Sequence, residues 1–421
     1  MSEDADRPLN LPMVDPSDAR TGGEGTRAVH LPRPQQPEQE PLGLPAYRTT
    51  AFVFDTAQDY SDVLGDRRPG YSYSRVDNPT ADAFALAVAA LEGYGADRQV
   101  AAQPFASGMA AISSVLLTLC RAGSHVVVPA AVYGGTFGVI EHVLARFDVS
   151  ATFVDGTDVE AVRSALRDNT ALVWAETIAN PTTAVTDLPA IAAVCREAGV
   201  PFVVDSTFAS PAVCRPLQWG AQLVVHSATK YLGGHSDATG GVVAGDVDLV
   251  AAVRKTRIDL GGMLAPDEAF LLHRGLATLP LRVARHCSTA LALAEGVADH
   301  PQVDRVDYPG LPSHPQHSLA NKLFDAGPEG RRYGAIVTVS PRGGRAAGMA
   351  FCDGLRVGRV ATSLGGVHSV VSHVASTTHR QMDDAALEAA GIKPSTVRIS
   401  VGLEDADDLV KDVRQALDRL G

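Results

Sequence analysis

Cysteine is scarce in this chain and never paired in spacing: Cys120, Cys195, Cys214, Cys287 and Cys352 lie scattered, with no C-x-x-C among them. That argues against a disulfide framework or a cysteine-built zinc or redox site, and suits reduced thiols in a cytosolic protein. Long apolar runs are also missing. Each is interrupted well short of the roughly 20 residues a membrane helix requires. Aromatic residues make up only 5% of the chain, and 36 Lys and Arg are outnumbered by 48 Asp and Glu, for a net charge of −12. Such a balance disfavours nucleic acid and anionic membrane as partners. The opening residues are acidic and Pro-rich rather than charged-then-apolar, so a cytoplasmic location is expected, and no metal site is expected.

What is present is an ordinary globular composition, 45% apolar and 20% charged over 421 residues, enough for two to three domains. Residues 1–25 carry almost no periodic apolar positions and are expected to form a disordered tail. Residues 26–75 hold one strand-like run, Thr49 to Phe54, between Pro-rich pieces. From 76 to 275 short apolar strands (126–128, 151–154, 172–175, 202–204, 223–225) alternate with helical stretches such as 158–167 and 188–198. This alternation predicts a large, mostly parallel sheet covered by helices, with ligands at the carboxyl ends of its strands. Residues 276–421 mix helices with strands near 334–339 and 396–401, which predicts a smaller C-terminal α/β domain. There is no internal repeat.

Two strand ends carry the chemistry. Val224-Val225 runs into His226-Ser227-Ala228-Thr229-Lys230-Tyr231-Leu232-Gly233-Gly234-His235, a buried strand opening into a polar turn with one lysine. A lysine just past a strand is ordinarily a surface cation. Upstream, however, Val203-Val204-Asp205 delivers a carboxylate from a second apolar strand. Lysine plus acid is what pyridoxal 5′-phosphate (PLP) requires: an amine for its aldehyde, and a carboxylate to keep the ring nitrogen protonated. Ser107-Gly108-Met109 opens an apolar helix and reads either as a simple N-cap or as a phosphate seat at the helix N-terminus. Arg398, on the apolar strand Val397 to Val401, needs an anionic partner, and a substrate carboxylate is a good candidate.

These motifs resemble the PLP-dependent enzymes of cysteine and methionine metabolism: cystathionine γ-synthase, cystathionine γ-lyase, methionine γ-lyase and the homoserine-ester sulfhydrylases. The resemblance runs from about Thr26 to the C-terminus. It implies the aspartate-aminotransferase-like α/β fold (fold type I), with residues 26–75 as an arm reaching a neighbouring subunit, and a homotetramer built from dimers with shared active sites. It further implies Lys230 as the Schiff-base lysine and α-proton base, and Asp205 as the partner of the ring nitrogen. Ser107, Gly108 and Met109 would surround the phosphate, Ser227 and Thr229 would bond the phosphate or steer Lys230, and Tyr73 and Arg75 would arrive from the neighbouring subunit. Tyr133 would stack on the ring and protonate the leaving group, Asn180 would contact the ring oxygen, and Arg398 with Ser363 would bind the substrate carboxylate. The implied activity is γ-elimination or γ-replacement on an L-homoserine-derived or related γ-substituted L-amino acid.

Four positions depart from the family pattern. Gly135 stands where methionine γ-lyases carry Cys, Ile178 replaces a proline, and Ser206 replaces an asparagine. His368 occupies the place of a glutamate that helps cystathionine enzymes select the distal end of their substrate. Losing that anion weakens the case for a distal ammonium group, while Ser376-Thr377-Thr378-His379 is closer to the sulfhydrylases. A γ-lyase acting on a non-standard γ-substituted amino acid, with a leaving group such as halide, is therefore an alternative. Ser227-Ala228-Thr229-Lys230 also matches the S-x-x-K of serine acyl enzymes, but Ser236-Asp237-Ala238 and Lys255-Thr256-Arg257 fail that pattern at their last residues.

Overall fold

The computed structural model describes residues 39, 41–380, 382–389 and 391–421. The chain separates into two compact units, Met1–Pro45 and Ala46–Gly421. Of the first, only 39 and 41–45 are described, so the expected tail and residues 26–38 and 40 of the expected arm lie outside the described residues.

The larger unit is organised around a seven-stranded sheet of β1 (Val100–Phe105), β2 (His125–Pro129), β3 (Ser150–Val154), β4 (Thr170–Glu176), β5 (Phe202–Asp205), β6 (Leu223–His226) and β7 (Gly241–Asp246), in the order β1-β7-β6-β5-β4-β2-β3. The five strands from β6 to β3 are parallel, and β7 runs antiparallel to both its neighbours. Central parallel strands are covered on both faces, which explains their unbroken apolar runs. Val204, Val224 and Val242 pack into the core on one face, while Val203, Val225 and Val243 pack into that on the other. Trp174 and Phe202 are fully buried there.

Local signals set the helix ends. Helix α1 (Pro79–Glu92) starts on Asn78, whose side chain accepts from Thr80 N at 3.0 Å, with proline in the first turn. Helix α2 (Gly108–Leu119) is capped by Ser107, and α3 (Leu188–Ala198) ends at Gly199 with φ +65°. A long helix, α4 (Leu279–Val297), leads into a second sheet of β8 (Val303–Asp307), β9 (Ile336–Pro341), β10 (Arg359–Val360), β11 (Val370–His373) and β12 (Val397–Ser400), ordered β10-β11-β12-β9-β8.

The strand expected at Thr49 to Phe54 does not form. Only Ala51 bridges to Tyr73, and two further bonds, Phe52 N to Ser72 O and Ser74 N to Thr50 O, flank it. A strand needs a partner along its length, and here Val53 stays 95% exposed.

Candidate active site

The parallel sheet delivers its polar residues at the carboxyl ends of β4, β5 and β6. Asp205 closes β5 and is in register with Glu176 on β4 and Val225 on β6. After β6 the chain turns, with Lys230 N bonded to Ser227 O and Gly234 N to Lys230 O. Arg282 of α4 staples that turn from below, donating to Tyr231 O at 2.8 Å and Gly275 O at 2.7 Å.

The Lys230 amine points at the second sheet, where Nζ donates to Ser363 Oγ at 2.8 Å. Ser363 O accepts from Arg398 Nη2 at 3.1 Å, and Arg398 Nη1 donates to Asn180 Oδ1 at 3.2 Å. Lys230, Ser363, Arg398 and Asn180 thus form one hydrogen-bonded chain drawn from four separate segments. Burial pushes the Lys230 amine below the ordinary lysine range, and the Arg398 charge pushes it further. Arg398 itself is buried, and its Nε has no partner among the described residues. A buried guanidinium with an unused donor suits a carboxylate ligand.

Asp205 is buried and accepts from Thr207 N at 2.9 Å. Burial pushes its carboxyl up, opposed by the Thr207 bonds and by His226. A protonated ring nitrogen would restore the ionised form. On the next strand Glu176 is also buried and is pushed up to about 8, by burial and then by the Asp205 charge. Its oxygens accept from the backbone N–H groups of Tyr133 (2.6 Å) and Asn180 (3.4 Å). The sequence reading passed over Glu176. Its signal was a carboxylate ending the apolar run Leu172 to Ala175, the same arrangement that drew attention to Asp205.

Ser107 Oγ accepts from Ala110 N at 3.1 Å, leaving the first-turn N–H groups of α2 directed outward. Gly108 meets Ser227 closely, since a Cβ on Gly108 would lie 2.7 Å from Ser227 Cβ and 2.8 Å from its Oγ. Ser107, Gly108 and Ser227 therefore converge into a cradle that admits no extra side chain. Thr229 is engaged otherwise. Its hydroxyl donates to Gly240 O and accepts from Gly240 N, so its visible task is to brace the turn.

Tyr133 is half exposed. A Cβ on Gly135 would fall 2.5 Å from the Tyr133 ring and 2.6 Å from Met109 Sδ. The cysteine of methionine γ-lyases could enter here only if both Tyr133 and Met109 moved. His368 is exposed on the loop before β11. Tyr73 and Arg75 are not brought to Lys230. They line a separate open cleft with Phe52 and Tyr60, and Arg75 donates to Ile258 O at 2.8 Å. The S-x-x-K pairing is not made either, because the amine of Lys230 turns to Ser363.

The residues fit PLP: a depressed amine, a buried carboxyl short of a cation, a helix N-terminus with a glycine cradle, and an orphaned guanidinium donor. Together with the sheet they define a PLP-dependent enzyme of the α/β type. The chain belongs to the Cys/Met metabolism PLP-dependent enzymes, whose family model matches residues 25–418. It is 40% identical over 407 residues to the cystathionine gamma-synthase of Mycobacterium tuberculosis, covering 95% of this chain and 100% of that protein. It is 39% identical over 397 residues to the L-methionine gamma-lyase of Pseudomonas putida, covering 94% and 97%. The solved structure of metB from Corynebacterium glutamicum superposes with a TM-score of 0.83 at 38% identity, over 96% of this chain and 100% of that one. Among the described residues no helix is long and apolar enough to cross a membrane.

Proposed function

We propose that the enzyme removes or replaces the γ-substituent of an L-homoserine-type amino acid, with the residues named above in the following roles. The observation that supports this most directly is the hydrogen-bonded chain from Lys230 through Ser363 and Arg398 to Asn180. When bound, PLP supplies a ring that accepts electrons from the substrate's Cα, so the α- and β-protons become acidic.

Arg398 fixes the substrate α-carboxylate, with Ser363 beside it. Asp205 holds a proton at the ring nitrogen. Ser107, Gly108, Met109 and Ser227 bind the phosphate, with Thr229 bracing the turn, and Asn180 faces the ring oxygen. Lys230, whose amine burial keeps readily neutral, takes the α-proton. Tyr133 gives a proton to the departing γ-group. A thiol then takes the γ-position, or water hydrolyses the carbon skeleton to a 2-oxo acid and ammonia. Both outcomes use the same residues.

We further propose a homotetramer of dimers, located in the cytoplasm, in which residues 26–75 form an arm to the neighbouring subunit. Tyr73 and Arg75 then complete the partner's phosphate site. The open cleft that they line supports this, since both side chains are exposed there and Lys230 of their own subunit is not part of its lining. Residues 76–275 form the cofactor domain and 276–421 the smaller one.

His368 favours substrates without a distal ammonium, and hence homoserine esters over cystathionine, and Gly135 disfavours methionine. The same two residues keep a γ-lyase for a non-standard amino acid as the second reading. Supplying PLP-loaded enzyme with O-acetyl- or O-succinyl-L-homoserine, with and without sulfide or cysteine, tests both. A new C–S product only with nucleophile identifies replacement, and 2-oxobutyrate regardless identifies elimination. An intact cofactor spectrum with no product from either ester supports the second reading.

A further inference from the structure

Glu176 belongs to none of the roles just given, yet it is buried among the residues that have them. It ends β4, in register with Asp205, so the two carboxyls stand side by side on one face of adjacent strands. Its Oε1 accepts from Tyr133 N at 2.6 Å, 43 residues away, and its Oε2 from Asn180 N at 3.4 Å. Tyr133 starts the short helix Gly134–Gly138 with no side-chain cap, and its ring is half exposed, so neither capping nor burial of the ring fixes it. Asn180 is held at its side chain by Arg398 and at its backbone by Glu176.

We propose that Glu176 is a positioning residue that clamps Tyr133 and Asn180 to the end of β4, beside Asp205, so that one carboxylate sets the geometry of two ring contacts. This rests on the reading of the site given above. A carboxylate is suited to the task because it accepts at both oxygens. Glutamine would accept at one and present an NH2 to the other N–H, and alanine would strand both buried donors. Burial and the neighbouring Asp205 push the Glu176 carboxyl up to about 8 while the two backbone N–H bonds pull it down, so the clamp gains its second full acceptor as pH rises through that value.

The test starts with the unsubstituted protein. Hydrogen exchange at the Tyr133 and Asn180 amides is expected to be slow at both, and slower still with PLP; rapid exchange at either amide overturns the clamp. In Glu176→Ala, PLP is expected to bind more weakly by roughly ten-fold or more, since two buried N–H donors are left without their acceptor. Both amides should then exchange faster, and the visible circular dichroism of bound PLP should weaken in protein that still melts cooperatively. Glu176→Gln should restore part of each signal, and it serves as the variant if the alanine protein does not fold. Wild-type PLP affinity and visible dichroism in the variants would overturn the clamp alone. Failure of the unsubstituted protein to bind PLP would overturn the reading of the site itself.

Discussion

Lys230 and Ser363 lie 133 residues apart, and the Lys230 amine donates to the Ser363 hydroxyl at 2.8 Å. The bond joins the turn after β6 to the loop before β11, and Arg398 holds that loop through Ser363 O. Ser363 has φ +80°, a left-handed conformation that non-glycine residues seldom adopt. The loop keeps this conformation while presenting its hydroxyl to the lysine and its carbonyl to the arginine. Ser363→Ala keeps the carbonyl and loses the hydroxyl. It is expected to raise KM for an ester substrate roughly three- to ten-fold with little change in melting temperature, matching one hydrogen bond. An unchanged KM would show that the hydroxyl does not contact the substrate.

Removing the amine has a larger effect. Lys230→Ala is expected to bind PLP without the borohydride-bleachable absorption of the unsubstituted enzyme. Its turnover should fall by roughly 10³-fold or more, since covalent attachment and general base are lost together. Bleaching that persists in this variant would mean that another lysine carries the cofactor.

The environment of that amine gives a pH test. Burial and the Arg398 charge both disfavour the ammonium form, so the Lys230 midpoint lies below the ordinary lysine value of 10.5. PLP is captured by the neutral amine, so the rate of cofactor incorporation should rise with pH and level off above that lowered midpoint. Arg398→Gln removes one of the two influences and should move the midpoint upward, slowing incorporation at mildly alkaline pH. A midpoint that stays fixed or moves downward contradicts this assignment. In a separate assay, loss of the guanidinium should raise substrate KM roughly ten- to hundred-fold.

Stability has a sensitive point at the end of β6, one residue before Ser227. His226 Nε2 meets Glu92 Oε1 at 2.6 Å, and the two side chains are 1% and 0% exposed. Breaking such a pair leaves the other member buried without its partner, at a cost of about 3–5 kcal/mol. His226→Ala should show that loss in denaturant unfolding, and the double variant Glu92→Leu/His226→Phe should recover a substantial part of it. If the single and double variants are equally destabilised, the cost comes from packing instead of the stranded carboxylate.

The sequence by itself determined the parallel strands and the chemistry at their ends. The central runs around Val127, Val173, Val203 and Val224 are apolar because helices cover both faces, and that pattern is legible without coordinates. Asp205 and Lys230 were legible because a charged residue ending such a run departs from it. What only the tertiary structure decided depends on distant segments meeting. Glu176 looked like any residue leaving a strand until register set it beside Asp205 and two loop amides closed on it. Thr229 reads from its position as serving the phosphate or steering Lys230, and only packing sets its hydroxyl on Gly240. Thr49 to Phe54 read as a strand from its own β-branched and aromatic residues, yet a strand is made by its neighbour, and among the described residues it finds a single bridge, at Ala51. Periodicity and strand-end charges are local properties, carried by residues near one another in the chain. Hydrogen-bond partners and strand register depend on how the chain packs, and no local pattern contains them.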